Sequence, residues 1–430
     1  MGRKDNPAGK TMNDYKNKFT RNTVPVSPPL DSGKGEFVWD VDGKEYIDCC
    51  AQTLNMNLGQ CHPDVTEAVV AQARKLTYAS SRFASDPAVK LVEKLVQITP
   101  RSLTKVNIKN TSGSSANECA IKAARKKSGR DIVVSVMESH LGQTFEMMKV
   151  SGKHFEASFI KERNARFLPA PYCFRCPHNK TPDSCDIECL RPLEEIWKTD
   201  GPDIGALITE AIMVDAGVLV PPREYHRRLR EFCTANNVAL IYDEVQTGFG
   251  WLGYMFAMDY YEVTPDIVTF GKGLSGGFPI AATVLSEQYD VLTYGEHEIT
   301  YGAHPVSCAA ALATINYVAD KGGLHEAAEK GEYALARLRD LAARYKVIGD
   351  VRGVGLVIGI EIVNPKDNSP DERTARRIFE EMLEKGVILR LSTVGKNSSV
   401  LQFKPPIVIE RESLDKVFER FDEVLKSLQA

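Results

Sequence analysis

The chain has 430 residues, 43% of them hydrophobic and 26% charged, with a formal net charge of −3. That length exceeds one ordinary core and predicts either two domains or one large domain with an appendage. The near-balanced charge excludes an electrostatic case for nucleic acid or an anionic membrane as partner, and no apolar run reaches the length of a membrane span.

Residues 1–18 are polar and lack the apolar core of a secretory signal, and Asn6 stands where myristoylation wants Ser or Thr. A cytoplasmic location is expected. Up to about Pro29 the chain reads as an arm, because Pro25, Pro28 and Pro29 prevent regular structure. Residues 36–48 alternate around Asp42-Gly43 and predict a hairpin. Asp86-Pro87 opens a helix with Val89, Val92, Leu95 and Val96 on one face. Val106 and Ile108 predict a strand that turns through residues 110–114 into a helix. There Ser115 and Glu118 read as a capping box, Cys119, Ala120, Ala123 and Ala124 as the buried face, and Gly129 as the stop. The helix start, Ser112-Gly113-Ser114, offers N–H groups, hydroxyls and the helix dipole to a phosphate. Most Ser-Gly turns ahead of a helix only cap it.

Strands follow at 131–136 and 206–210, the second ending in Glu210. A helix at 225–235 precedes the apolar run 238–242, which reads as a buried parallel strand running out at Asp243-Glu244. A further strand, 266–270, ends in the loop 271–277, where Lys272 sits among four glycines. Ligands collect at the carboxyl ends of strands in such sheets. The chemistry that needs a lysine and a buried aspartate on one rim is pyridoxal phosphate (PLP) catalysis. The amine forms a Schiff base and the carboxylate keeps the pyridine nitrogen protonated. From the loop alone a solvated lysine is the commoner outcome, whereas the glycines argue for close approach of backbone to something bulky. The loop also matches G-x-G-x-x-G, but an extended segment follows where a dinucleotide site requires a helix.

Strands alternating with helices to about residue 290 predict an α/β fold with a mostly parallel sheet flanked by helices. Helices at 309–320, 324–345, 373–385 and 413–428, with a strand at 354–361, predict a smaller α+β domain. The expected division is 1–60 as an arm and hairpin joining the small domain, 61–308 as the large domain, and 309–430 as the small one. Of ten cysteines, Cys49, Cys50, Cys61, Cys119, Cys233 and Cys308 read as buried thiols. Cys173, Cys176, Cys185 and Cys189 have C-x2-C and C-x3-C spacings compatible with a four-thiolate metal site. The short gap between the pairs favours a reduced, metal-free surface loop, with His178 a loop residue. The metal question stays open.

Residues 57–63, 111–118, 243–250, the Lys272 loop and 300–305 together resemble the class III, ω-type aminotransferases of PLP fold type I, over nearly the whole chain. The resemblance implies an enzyme that uses pyridoxal 5'-phosphate to move an amino group between an amine or ω-amino compound and a 2-oxo acid. It also implies a homodimer with shared active sites. Carried over by position, Lys272 holds the cofactor, Asp243 partners the pyridine nitrogen, and Ser112, Gly113 and Ser114 take the phosphate. Thr300 reaches the phosphate of the neighbouring subunit, and Gln246 lies near the phenolic oxygen. His140 is the residue expected to stack on the ring, in Ser139-His140-Leu141-Gly142 where the family has an aromatic-His-Gly motif. Glu210, followed by Ala211 instead of the family's proline, completes the cofactor set. The family's Phe-Gly-Arg-Thr-Gly is replaced at 249–253. The departure that bears most on substrate is Gln402, where members that grip an α-carboxylate have an arginine. An amide cannot replace a bidentate guanidinium. Gln402 and Arg82 are therefore the expected substrate-facing residues, and an amine or ω-amino substrate is favoured. Some relatives lacking that arginine are lyases that eliminate ammonia and phosphate from phosphorylated amines, and Ser81-Arg82-Phe83 and Lys404-Pro405-Pro406 resemble theirs. A lyase is the alternative, and other members of the fold decarboxylate or racemise.

Overall fold

The computed structural model describes residues 19–22, 29–80, 82–392 and 398–429. Most of the expected arm, and Ser81, lie outside them. Strands β1 (Leu30–Lys34), β2 (Phe37–Asp40) and β3 (Glu45–Asp48) form an antiparallel meander, with Gly43 at φ +82° in the expected turn. Helices α1 (Pro63–Lys75) and α2 (Asp86–Ile98) follow. In α2 the buried positions are Pro87, Ala88, Leu91 and Leu95, and Val89 is exposed. The expected apolar face is thus turned by one position, because Pro87 and Leu91 define the buried stripe.

Strand β4 (Leu103–Asn110) leads into α3 (Gly113–Ser128), then β5 (Ile132–Val136), β6 (Ala165–Leu168), α4 (Arg191–Asp200) and β7 (Ile204–Glu210). Next come α5 (Arg223–Asn236), β8 (Ala239–Asp243), β9 (Ile267–Phe270) and β10 (Ala281–Ser286). These strands form one seven-stranded sheet in the order β4-β10-β9-β8-β7-β5-β6. β6, β5, β7, β8 and β9 run parallel, and β10 alone is antiparallel to its neighbours β9 and β4. The expected, mostly parallel α/β sheet is therefore present. Since β10 opposes both neighbours, β4 points the same way as β9, so β4, β7, β8 and β9 all end on one rim. Every residue of β7, β8 and β9 is buried, which is why they read as continuous apolar runs.

The rest of the chain comprises α6 (Pro305–Asp320), α7 (Gly323–Arg344), β11 (Ile348–Val354), β12 (Val357–Ile362), α8 (Glu372–Glu384), β13 (Val387–Ile388), β14 (Arg390–Leu391), β15 (Val400–Phe403) and α9 (Arg411–Ser427). The single strand expected at 354–361 is instead the turn and second arm of the β11–β12 hairpin. Gly355, at φ +55°, makes that reversal, and one glycine in an apolar run did not signal it. β12 and β14 both pair with β15, and β13 pairs in parallel with β3. Leu338, Ile360, Ile378 and Phe418 share a core of their own, whereas α6 packs its Cys308, Ala311 and Ile315 with Val65 and Leu91 beside the large sheet.

Candidate active site

The register of the central sheet brings the acids together. Glu210 and Asp243 are paired residues of β7 and β8, and Thr269 of β9 pairs with Asp243 from the other side. All three are buried. The Asp243 carboxylate accepts from Asn117 Nδ2 at 2.6 Å and from the Val245 N–H at 2.9 Å. Asn117 accepts the Thr269 hydroxyl at 2.6 Å and also donates to the Leu141 carbonyl at 2.8 Å. Burial pushes the Asp243 carboxyl up, opposed by these hydrogen bonds and by Lys272. Glu210 is pushed up strongly, by burial first and by the Asp243 charge second. Its Oε1 accepts the His140 backbone N–H at 2.7 Å, and its Oε2 has no partner.

Lys272 follows β9 directly and has φ +42°, a left-handed conformation that side chains other than glycine rarely adopt. Strain of this kind persists only where surrounding structure imposes it. Burial pulls the Lys272 amine down, while Asp215, Asp243 and Glu210 hold it up. The α3 helix starts three residues earlier than expected. Ser112 is its N-cap, with Ser112 Oγ accepting from Ser115 N at 3.3 Å and Ser115 Oγ accepting from Ser112 N at 3.3 Å. Glu118 instead accepts the Thr144 hydroxyl. The earlier start puts the first-turn N–H groups of Gly113 and Ser114, which have no intrahelical acceptor, beside a cavity.

That cavity, of about 380 Å³, is lined by Ser112, Gly113, Ser114, Asn117, His140, Asp243 and Lys272, and also by Asn55 and Phe278. At two points of its wall there is no space for a side chain. A Cβ on Gly113 would lie 2.9 Å from Val245 Cγ1, and one on Gly142 would lie 2.5 Å from Ser114 Oγ. Burial brings the His140 imidazole down to about 4, so it is neutral near pH 7, and its Nδ1 is buried without a partner.

Six expected residues therefore share one cavity: Ser112, Gly113, Ser114, His140, Asp243 and Lys272. Glu210 touches it through His140. Gln246 and Gln402 are buried but do not line it. Arg82 and Thr300 are exposed away from it, and the Thr300 carbonyl accepts the Tyr78 hydroxyl at 2.9 Å. Sequence reading missed Asn117 and Asn55. The available signal for Asn117 was a lone amide on the small, apolar face of α3. Also missed was Asp215, whose carboxylate lies 3.2 Å from both Arg390 and Lys153. Burial alone would raise it, but Arg390 and Lys153 hold it well below the usual carboxylate range.

The four clustered cysteines are free thiols, neither fully buried nor fully exposed. Burial first, and the neighbouring thiols second, push Cys173 up and Cys189 up to about 12. Among the described residues no group of three or more His, Cys, Asp or Glu side chains is arranged to hold a metal ion. Also among them, no helix is long and apolar enough to cross a membrane.

The family profile described as aminotransferase class-III matches residues 19–425. The chain is 35% identical over 408 residues to an acetylornithine aminotransferase of Methanocaldococcus jannaschii, covering 93% of this chain and 94% of that one. It is 34% identical over 408 residues to a leucine/methionine racemase of Thermococcus litoralis, covering 92% and 90%. The solved taurine:2-oxoglutarate aminotransferase of Bifidobacterium kashiwanohense, in complex with PLP and glutamate, superposes with a TM-score of 0.89 at 25% identity, covering 96% of each chain.

Proposed function

The chain belongs to the class-III aminotransferases, PLP-dependent transaminases of fold type I, and from that premise we propose how its residues divide the work and which amino compounds it takes. The observation that carries the proposal is that Lys272, Asp243 and the first turn of α3 face one cavity. The cavity fits the cofactor on three counts. The open N-terminus of α3 with two serine hydroxyls suits a phosphate. The buried Asp243 carboxylate suits a protonated ring nitrogen. Gly113 and Gly142 let the wall segments pack tightly, since a Cβ on either would collide with Val245 or Ser114, and so hold the phosphate turn in place. When bound, pyridoxal 5'-phosphate supplies a carbonyl for an amine and an electron-withdrawing ring.

The chain's own part is positional and acid–base. Asn117, fixed by Thr269 and the Leu141 carbonyl, holds the Asp243 carboxylate in one orientation. Ser112, Gly113 and Ser114 would hold the phosphate, and the neutral His140 ring would pack against the cofactor. Lys272, its amine weakened by burial, holds the cofactor and then carries a proton at Nζ. Glu210 braces His140 through its backbone N–H, and Gln246 lies behind the rim. The amino substrate is an amine or ω-amino compound and the acceptor a 2-oxo acid. The support is the buried amide at Gln402, where no guanidinium is present to meet an α-carboxylate.

A cytoplasmic homodimer belongs to the same proposal. Thr300 is exposed beside Tyr301 and Tyr78, which are 64% and 40% exposed and pack edge-on to each other, a patch suited to a partner subunit. So does the division at residues 61–308 and 309–430. It is supported by the separate core around Leu338 and Phe418, although α6 packs with the large sheet. The test is to incubate holoenzyme with a series of amines, with and without pyruvate or 2-oxoglutarate. Alanine or glutamate should form only with the oxo acid, and Lys272→Ala should form none and resist borohydride fixation of the cofactor. Amine consumption with ammonia release and no oxo acid would replace transamination by elimination.

A further inference from the structure

Strand β15 runs out in a lysine that has no counter-ion. Lys404 is 0% exposed, and among the described residues no other lysine or arginine is so completely enclosed. Its Nζ donates to Gln402 Oε1 at 2.7 Å, and no carboxylate of the described residues lies within ion-pair distance. Gln402 turns its Nε2 to the Val214 carbonyl at 3.0 Å, which fixes its oxygen toward the lysine. The nearby cations Arg390 and Lys153 are already committed to Asp215. The Lys404 backbone N–H donates to the Cys49 carbonyl at 2.8 Å. This places Lys404 behind the turn that runs on to Asn55, a wall of the Lys272 cavity.

A buried ammonium held by one neutral amide is costly, and an apolar side chain of similar size would remove the cost. Burial brings the Lys404 amine down to about 8, Arg390 and Lys272 depress it further, and Cys50 and Asp215 oppose them. An anion arriving beside it would relieve that cost. We propose that Lys404 is the anchor for an anionic group, a carboxylate or a phosphonate, on the substrate, with Gln402 as the positioning residue that aims its ammonium. The proposal rests on the transaminase reading of the Lys272 cavity and narrows its substrates to amino compounds that carry a second, anionic end.

The test is calorimetric titration of the holoenzyme with valerate and with butylphosphonate, neither of which has an amine to react, against uncharged valeramide. Wild type should bind at least one anion about tenfold or more tighter than valeramide, since a charge-assisted bond is roughly twice as strong as a neutral one. Whichever anion is preferred identifies the group. In Lys404→Met that preference should fall about tenfold, and Lys404→Arg should keep part of it. The kcat/KM ratio for 5-aminopentanoate over pentylamine should fall in parallel, through KM. Above about pH 8 the wild-type preference should decline, and that of Lys404→Arg should not, although Cys50, Arg390, Asp215 and Lys272 face the same site. The visible absorbance of bound cofactor verifies that each variant is folded. Equal binding of anion and amide by wild type, or an unmoved preference in Lys404→Met, would overturn the proposal. An enzyme that binds valerate through Lys404 yet transfers no amino group would sink the transaminase reading alone.

Discussion

Gln402 and Lys404 are two positions apart on or just past β15, bonded to each other in a buried site. From the sequence alone, replacing Gln402 with the family's arginine promises better use of α-amino acids. The structure reverses that expectation, because the guanidinium would meet the Lys404 ammonium with no carboxylate between them. Gln402→Arg should therefore lose about 3–5 kcal/mol of stability, and only Gln402→Arg combined with Lys404→Leu should gain activity on L-alanine. Thermal midpoints and kcat/KM for the single and double variants decide it. Lys404 by itself makes a second prediction. Its amine lies near 8 folded and near the ordinary lysine value unfolded. Between those values the unfolded chain binds more protons, so wild-type stability rises with pH across that window. The penalty, about 3 kcal/mol, is fully present at neutral pH and relieved above it. Lys404→Met should be the more stable protein at pH 7, and the gap should close by about pH 10. Urea midpoints at the two pH values measure this, and a wild type as stable as the variant at pH 7 contradicts it.

At the scale of elements, the turn between β3 and α1 is unusual. Ala51, Gln52, Thr53 and Leu54 are all left-handed, at φ +44°, +46°, +62° and +62°. Each such residue costs roughly 1–2 kcal/mol. The turn is held by the buried Asp48 carboxylate, which accepts the Cys50 and Gln52 N–H groups at 3.0 Å and Gln52 Nε2 at 2.8 Å. It delivers Asn55 to the cavity wall. Thr53 is exposed and β-branched, the worst residue type for this conformation, while asparagine tolerates it. Thr53→Asn should stabilise the chain by about 1 kcal/mol and leave cofactor affinity intact, as read from denaturant midpoints and cofactor titration. The Thr53 hydroxyl accepts from Asn55 Nδ2 at 3.0 Å and donates to the Gln52 carbonyl at 2.6 Å, and a lower midpoint would mean that these bonds are worth more than the strain.

For the whole molecule, the proposed homodimer makes the exposed aromatic residues its interface. Tyr78 packs edge-on to Tyr301 at 5.9 Å and lies 6.1 Å from His304, next to the exposed Thr300. A pair of charges there, Tyr78→Asp with Tyr301→Asp, is expected to convert the proposed dimer to monomers in light scattering. It should also weaken cofactor retention, because Thr300 would no longer reach a neighbouring phosphate. Wild-type holoenzyme that runs as a monomer would refute the shared-site arrangement.

The sequence alone determined the parallel strands, their acid-bearing ends and the glycine-rich loop of Lys272, because each is a pattern among near neighbours. An apolar run between a helix and a polar loop is a buried strand wherever it packs. Local pattern also sufficed for the turn at Ser112–Ser114 ahead of α3, although the N-cap is Ser112 and not Ser115. Only the tertiary structure decided the pairing of Glu210 with Asp243, which depends on strand register. It also decided the bond from Asn117 to Asp243 across 126 positions, and the β11–β12 hairpin inside what read as one strand. In the sequence Lys404 stands out only as part of Lys404-Pro405-Pro406, the segment that resembles that of the related lyases. Its burial against an amide became visible only when β15 closed on the loop carrying Val214, since the cost of a charge depends on what packs around it and not on its neighbours in the chain.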